Sequence, residues 1–134
     1  MVRITKLTDY GIMIMAFMAN HPTKVFQATE IALKTTLAKP TVAKLLKKLA
    51  KKQLLSSQRG THGGYQLACD PLQISVADIV ESLEGPIAIT ECNLGHDYCA
   101  TAPSCTLKSP WSRINQVITT ALHSVKLGDL YGNH

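Results

Sequence analysis

Residues Pro40 to Ala68 read PTVAKLLKKLAKKQLLSSQRGTHGGYQLA. Two patterns follow one another in this stretch. In the first, Val42, Leu45, Leu46 and Leu49 recur at the i, i+3, i+4, i+7 spacing of one apolar helical face. Thr41, Lys44, Lys48 and Lys51 form a second stripe, with Lys47 and Lys52 beside it. Pro40 sits at the first turn, where a missing N–H is tolerated. The helix should therefore run from Pro40 to Lys52, apolar on one side and cationic on the other. The second pattern is strand, turn, strand: Leu54–Gln58, the glycine-rich Arg59–Gly64, then Tyr65–Ala68.

Upstream, Ala28 to Thr35 reads as a short helix with Ile31, Ala32 and Leu33 as its apolar content. A brief turn separates it from the basic helix, which is the order of a helix-turn-helix. A hairpin directly after the second helix of such a unit is a wing. Thr5 to Asn20 forms a further helix, capped by Thr5 or Thr8 and ended by His21-Pro22. Ile12, Met13, Ile14, Met15, Phe17 and Met18 make it apolar on nearly every side, which predicts burial on several faces. Its methionines are most simply core packing.

Downstream, Asp70-Pro71 breaks the chain. Ser75 caps a helix that reaches Leu83, with Val76, Ile79, Val80 and Leu83 apolar, and Gly85-Pro86 ends it. From Ser109, with Pro110 in the first turn, a last long helix carries Trp111, Ile114, Ile118, Ala121 and Val125. Their spacing of 3, 4, 3, 4 is a short a/d seam, widened by Val117 and Leu122. Two heptads need a second surface. A second copy of the chain is the favoured one, since readers with one helix-turn-helix bind DNA as dimers across two half-sites; the alternative is the chain's own first helix.

The fold class expected is mainly α with a small β-hairpin wing: a winged helix-turn-helix plus a C-terminal dimerisation helix. The expected units are 1–85 (DNA-binding, its first helix also at the dimer interface), 86–108 (cysteine-rich loop) and 109–134 (dimerisation helix and tail).

Charge is divided along the chain. Residues 1–69 carry a formal charge of +9 and residues 70–134 carry −4, within a total of +5. A basic first half fits a nucleic-acid surface. Lys39, Thr41 and Lys44, near the start of the basic helix, are the candidates for base contacts. Lys47, Lys48 and Lys51, with Arg59 and His62 of the wing, are the candidates for phosphate or minor-groove contacts. No Walker loop, no HExxH and no readable nucleophile–base pair is present, so no enzymatic activity and no small-molecule substrate are expected. His123 has no evident partner in sequence and is expected to be exposed or capping.

Between the last two helices lies CNLGHDYCATAPSC, Cys92 to Cys105, with Cys99 between: C-x6-C-x5-C. No apolar run reaches membrane-spanning length and the N-terminus lacks a signal-peptide cleavage site, so a cytoplasmic, thiol-reducing location is expected, with no membrane partner. Clustered thiols there suit metal ligation better than disulfides. Thiolates favour iron–sulfur clusters, zinc or copper(I). Three cysteines with His96 would also suit zinc.

Taken together the chain resembles the Rrf family of winged-helix regulators. The resemblance rests on Arg3-Ile4-Thr5-Lys6-Leu7-Thr8-Asp9-Tyr10-Gly11, on Arg59-Gly60-Thr61-His62-Gly63-Gly64-Tyr65-Gln66-Leu67-Ala68, on Ser75-Val76-Ala77-Asp78-Ile79-Val80-Glu81, on Leu83-Glu84-Gly85-Pro86 and on the spaced cysteines. The run from Leu83 to Cys92 looks closest to regulators of SUF-type iron–sulfur assembly. The resemblance implies a homodimer on double-stranded DNA. It implies an iron–sulfur cluster (2Fe–2S or 4Fe–4S) held mainly by Cys92, Cys99 and Cys105, with cluster state controlling DNA binding. It also implies repression of cluster-assembly genes. Nitric-oxide-sensing, zinc-stabilised and cluster-free regulators are the alternatives. Two positions depart from the pattern. Lys108 stands where many members have a ligating histidine, and the first cysteine gap is one residue longer than usual. The fourth ligand is therefore open among Asp9 from the partner subunit, as in the nitric-oxide-sensing branch, His96 and Cys69.

Overall fold

A computed structural model of the chain describes residues 4–88 and 108–130. Helices α1 (Lys6–Ala19), α2 (Ala28–Thr35) and α3 (Lys39–Lys51) are followed by strands β1 (Leu55–Gln58) and β2 (Gly64–Leu67). A single 3-10 turn, Pro71–Gln73, leads into α4 (Val76–Glu84), and α5 (Lys108–Ser124) and α6 (Leu127–Leu130) close the described chain. The winged helix-turn-helix expected from the sequence is the fold observed.

Local chemistry sets each boundary. Thr5, rather than Thr8, caps α1: its Oγ1 accepts from the Thr8 amide at 3.2 Å. Thr8 is instead fully buried, its hydroxyl sharing a hydrogen bond with that of Thr5 at 3.0 Å. Ser75 and Asp78 form a reciprocal capping box at the start of α4. Gly85 ends that helix with φ of +92°, a conformation glycine adopts without a Cβ penalty. Between α2 and α3 the turn passes through Thr36 in the left-handed region, and Pro40 occupies the first turn of α3 as expected.

The core is continuous. It takes Ile14, Met15 and Met18 from α1, Ile31 from α2, and Val42, Leu45, Leu46 and Leu49 from α3. Leu55 and Leu67 of the hairpin, Ile74, Ile79 and Leu83 around α4, and Leu127 of α6 complete it. The Leu127 contribution was not foreseen. After α5 the chain returns to the segment ahead of α4: Leu127 N donates to Ile74 O at 2.7 Å, and Val76 N donates to Val125 O at 2.9 Å. Helix α6 thus covers α1 while α5 lies against α4.

Two expectations about apolar faces are adjusted by this packing. Helix α1 is buried on its inner side, but Leu7 and Met13 face outward because its neighbours cover only that inner side. The α5 seam does not fold back onto α1, and Trp111, Ile114, Val117 and Val125 are exposed in the protomer.

The wing is an antiparallel pair running from Leu55↔Leu67 to Gln58↔Gly64. It is stapled to the core by a short bridge: Phe26 and Tyr65 exchange both backbone hydrogen bonds at 2.7 Å. Gln66 Nε2 adds a bond to Thr23 O at 2.8 Å. Gly64 is required here, because a Cβ would overlap the Phe26 carbonyl and its φ is +152°.

Candidate nucleic-acid interface

The inner face of α3 explains its outer face. Burying Val42, Leu45, Leu46 and Leu49 fixes the helix rotation, so Lys39, Lys44, Lys47, Lys48 and Lys51 are all exposed. Pro40 and Ala43 floor a groove walled by Lys44, Lys47, Lys48 and Lys51. Lys44 and Lys51 lie seven residues apart, about 10 Å along the axis. A helix with its side chains is about as wide as the major groove of B-DNA, so a row of cations on this face can meet backbone phosphates while the helix start meets base edges. Ala38 offers no side-chain cap and the first turn holds no acid. The first amides of α3 therefore keep their positive end unneutralised.

Among the described residues, the Lys24–Glu30 ion pair and the contact of His123 with Glu81 involve no cation of α3. Thr41 is half-buried at the start of the helix. Lys48 differs from its neighbours: its Nζ donates to the carbonyl of Leu83, at the end of α4, at 3.0 Å. At the wing tip Arg59, Thr61 and His62 are exposed, and the turn is closed by Gly63 N donating to Gly60 O at 3.1 Å. Gln27 Nε2, just ahead of α2, reaches Thr61 O at 3.5 Å, so the tip is also tethered to the helix-turn-helix.

Of the expected metal ligands, Cys92, Cys99, Cys105 and His96 lie outside the described residues. Asp9 is in the first turn of α1, exposed, with no hydrogen bond or ion pair of its carboxylate among the described residues. Cys69 is exposed in part, and partial burial raises its thiol above its ordinary value, followed by the charges of Asp78 and Asp70. A thiol held protonated is a poorer ligand than a thiolate. No group of three metal-binding side chains occurs among the described residues. The two stems of the cysteine loop are described. They converge where Asn115 Nδ2 of α5 donates to Ile87 O at 3.1 Å.

Sequence reasoning missed the residues that join elements. Glu84 Oε2 accepts from Thr5 N at 3.3 Å and Thr5 Oγ1 at 3.5 Å, tying the end of α4 to the start of α1. His123, for which no partner was evident, sits 3.4 Å from Ser75 Oγ and 3.8 Å from Glu81 Oε1 across the α4–α5 contact. These partners are 48 and 42 residues away, beyond the reach of any local pattern.

The sequence profile of Rrf2, described as an iron-dependent transcriptional regulator, matches residues 4–133. The chain belongs to the Rrf2 family. This Rrf2 member is similar to CymR (YrzC), the global cysteine regulator of B. subtilis, with 30% identity and a TM-score of 0.78 over 100% of this chain and 99% of that one. It is similar to IscR of T. potens at 31% identity and a TM-score of 0.70, covering 96% of this chain and 85% of that one. It is also similar to the oxidised form of Staphylococcus aureus CymR, at 25% identity and a TM-score of 0.72 over 99% and 98% of the two chains. The protein is a DNA-binding transcriptional regulator and not an enzyme. Among the described residues no helix is long and apolar enough to cross a membrane.

Proposed function

We propose that this Rrf2 protein is a dimeric, iron–sulfur-dependent repressor of SUF-type cluster-assembly genes. The observation that carries the reading is the pairing of one exposed cationic helix face with three thiols spaced within fourteen residues between α4 and α5. The proposed division of labour is residues 1–85 for DNA, 86–108 for the cluster and 109–134 for dimerisation.

In this reading Lys39, Thr41 and Lys44 meet base edges, while Lys47, Lys51, Arg59 and His62 set register on the phosphates. Two protomers associate through the exposed α5 seam, which brings two copies of α3 to successive turns of one DNA face. The donor set fits an iron–sulfur cluster: Cys92, Cys99 and Cys105 supply soft thiolates, and Asp9 is exposed and unengaged, available to a partner subunit. Lys108 supplies no ligand, because a protonated amine has no lone pair to give. When bound, the cluster supplies an iron centre that responds to oxidants, nitric oxide or iron supply. Cys92 and Cys105, as ligands, would link the segment after α4 to the segment before α5 through it.

A second reading is supported by the full-length similarity to CymR: a regulator of the same fold that works without a cluster. Anaerobic purification with an absorption spectrum and iron and sulfide analysis, repeated on Cys92→Ala, separates the two. The expected result is a brown protein with matched iron and sulfide, lost in the variant. Colourless protein after reconstitution refutes the cluster; bound zinc then makes the loop structural, and no metal favours the cluster-free regulator.

A further inference from the structure

Three elements meet where the cysteine loop leaves the core. The last turn of α4 leaves carbonyls without intrahelical partners, and the one on Leu83 is taken by Lys48 Nζ of α3 at 3.0 Å. A cation at a helix C-terminus is favourable electrostatically as well as by hydrogen bonding. The next residue, Glu84, holds Thr5 at the start of α1. The Leu83 side chain packs on Gly11 of α1 so closely that a Cβ there would overlap it. Around these ties is a cavity of about 400 Å³ lined by Thr5, Leu7, Lys44, Leu45, Lys48 and Glu84, among others. Beside the buried Leu45 and Leu83 side chains, the Lys48 hydrogen bond thus spans the rim of this cavity and adds a polar tie between α3 and the end of α4. One residue beyond Glu84 the chain enters Gly85-Pro86 and the loop.

We infer that Lys48 is a positioning residue: its ammonium fixes the DNA-reading helix to the stem of the cysteine loop and carries displacement of that stem to α3. It sits one turn from Lys44 and Lys51 on the helix that would meet DNA, yet its ammonium, exposed like theirs, donates to the α4 carbonyl. A shift of Gly85-Pro86 moves Leu83 and pulls on the middle of α3, between cations that face phosphates. The inference deepens the proposed function by naming how the loop reaches the DNA surface. It rests on that reading for the loop's role as a sensor, but its test needs no cluster.

The test uses the full-length, metal-free protein on a random-sequence duplex, comparing wild type, Lys48→Met, Lys48→Arg and Lys47→Met. The first readout is the slope of log K against log salt, to which each phosphate contact contributes about −0.9. Lys47→Met is expected to flatten the slope by about 0.9 per protomer and Lys48→Met to leave it unchanged. The second readout is hydrogen exchange at residues 84–88. DNA is expected to slow exchange there in wild type and Lys48→Arg, while in Lys48→Met this slowing disappears and that of α3 remains. A slope flattened in Lys48→Met as in Lys47→Met would make Lys48 a phosphate contact and overturn the inference. So would DNA-linked protection at 84–88 that survives Lys48→Met. Neither readout depends on iron or sulfide, so failure of the cluster reading leaves this result standing on its own.

Discussion

Replacing Ser75 by alanine tests the joint between the DNA-reading half and the C-terminal helices. Ser75 is 1% exposed. Its Oγ accepts from the Asp78 amide at 3.0 Å, and its own amide donates to Asp78 Oδ2 at 2.9 Å. Alanine removes the first bond and keeps the second. Loss of a serine N-cap costs about 0.5–2 kcal/mol. The buried setting places this one in the upper half, about 1–2 kcal/mol, because water replaces the lost acceptor poorly. The weak approach of His123 Nδ1, at 3.4 Å, adds little. For a chain of this length about 1 kcal/mol moves the melting temperature by roughly 3–5 °C, so a fall of about 3–10 °C is expected. The assay is thermal unfolding followed by circular dichroism at one fixed protein concentration, with Ser75→Thr, which keeps the hydroxyl, as control. Asp78→Ala and the double variant complete a cycle, and the two losses should not add, because both residues belong to one box. A melting temperature unchanged in Ser75→Ala would refute the capping argument.

Four further outcomes are expected. Arg59→Ala at the wing tip should flatten the salt dependence of duplex binding by about 0.9 per protomer, read by fluorescence anisotropy; an unchanged slope removes the tip from the interface. Gly64→Ala should destabilise the fold by roughly 1–3 kcal/mol in urea, because a Cβ at this backbone conformation runs into the Phe26 carbonyl; a neutral result would mean that the Phe26–Tyr65 staple yields freely. Val117→Glu, on a residue 64% exposed in the protomer, should convert a dimer to a monomer by light scattering, and a monomeric wild type would dismiss the α5 seam as a dimer face. With Cys92, Cys99 and Cys105 replaced by serine, Cys69 should alkylate with a midpoint pH above that of an unperturbed cysteine, about 8.5. The sign follows from burial and the nearby Asp78 and Asp70 charges, which hold the thiol protonated and slow its reaction at a given pH; a midpoint at or below the ordinary value contradicts this.

The elements most legible in the sequence are those whose signals are local. The four apolar positions of α3, the proline in its first turn, the Ser75 cap, the Gly85 stop and the glycine-rich turn of the wing each act within a few residues. A period or a cap needs no knowledge of the rest of the chain. The cationic face of α3 was legible for the same reason, since burying one stripe of a helix exposes the opposite one. The cysteine spacing is likewise a property of the chain alone, and Cys92, Cys99 and Cys105 keep their standing as proposed ligands on that ground.

The contacts between elements had no such signal. Leu127 entering the core, His123 meeting Ser75 and Glu81, and Phe26 pairing with Tyr65 all depend on how packed helices bring distant segments together. Lys48 shows the division most clearly. Its sequence neighbours mark it as one more cation of a DNA-facing stripe, and by period alone it is indistinguishable from Lys44 or Lys51. Only the tertiary packing of α3 against α4 sets an unpaired helix-end carbonyl within 3.0 Å of its ammonium, 35 residues along the chain. Residue order alone reveals which faces are apolar, which are charged and where the helices start and stop, because those are short-range properties of the backbone and its side chains. That Lys48 reaches the Leu83 carbonyl emerges only in the folded chain, because it depends on the distance between two helices that no local pattern encodes.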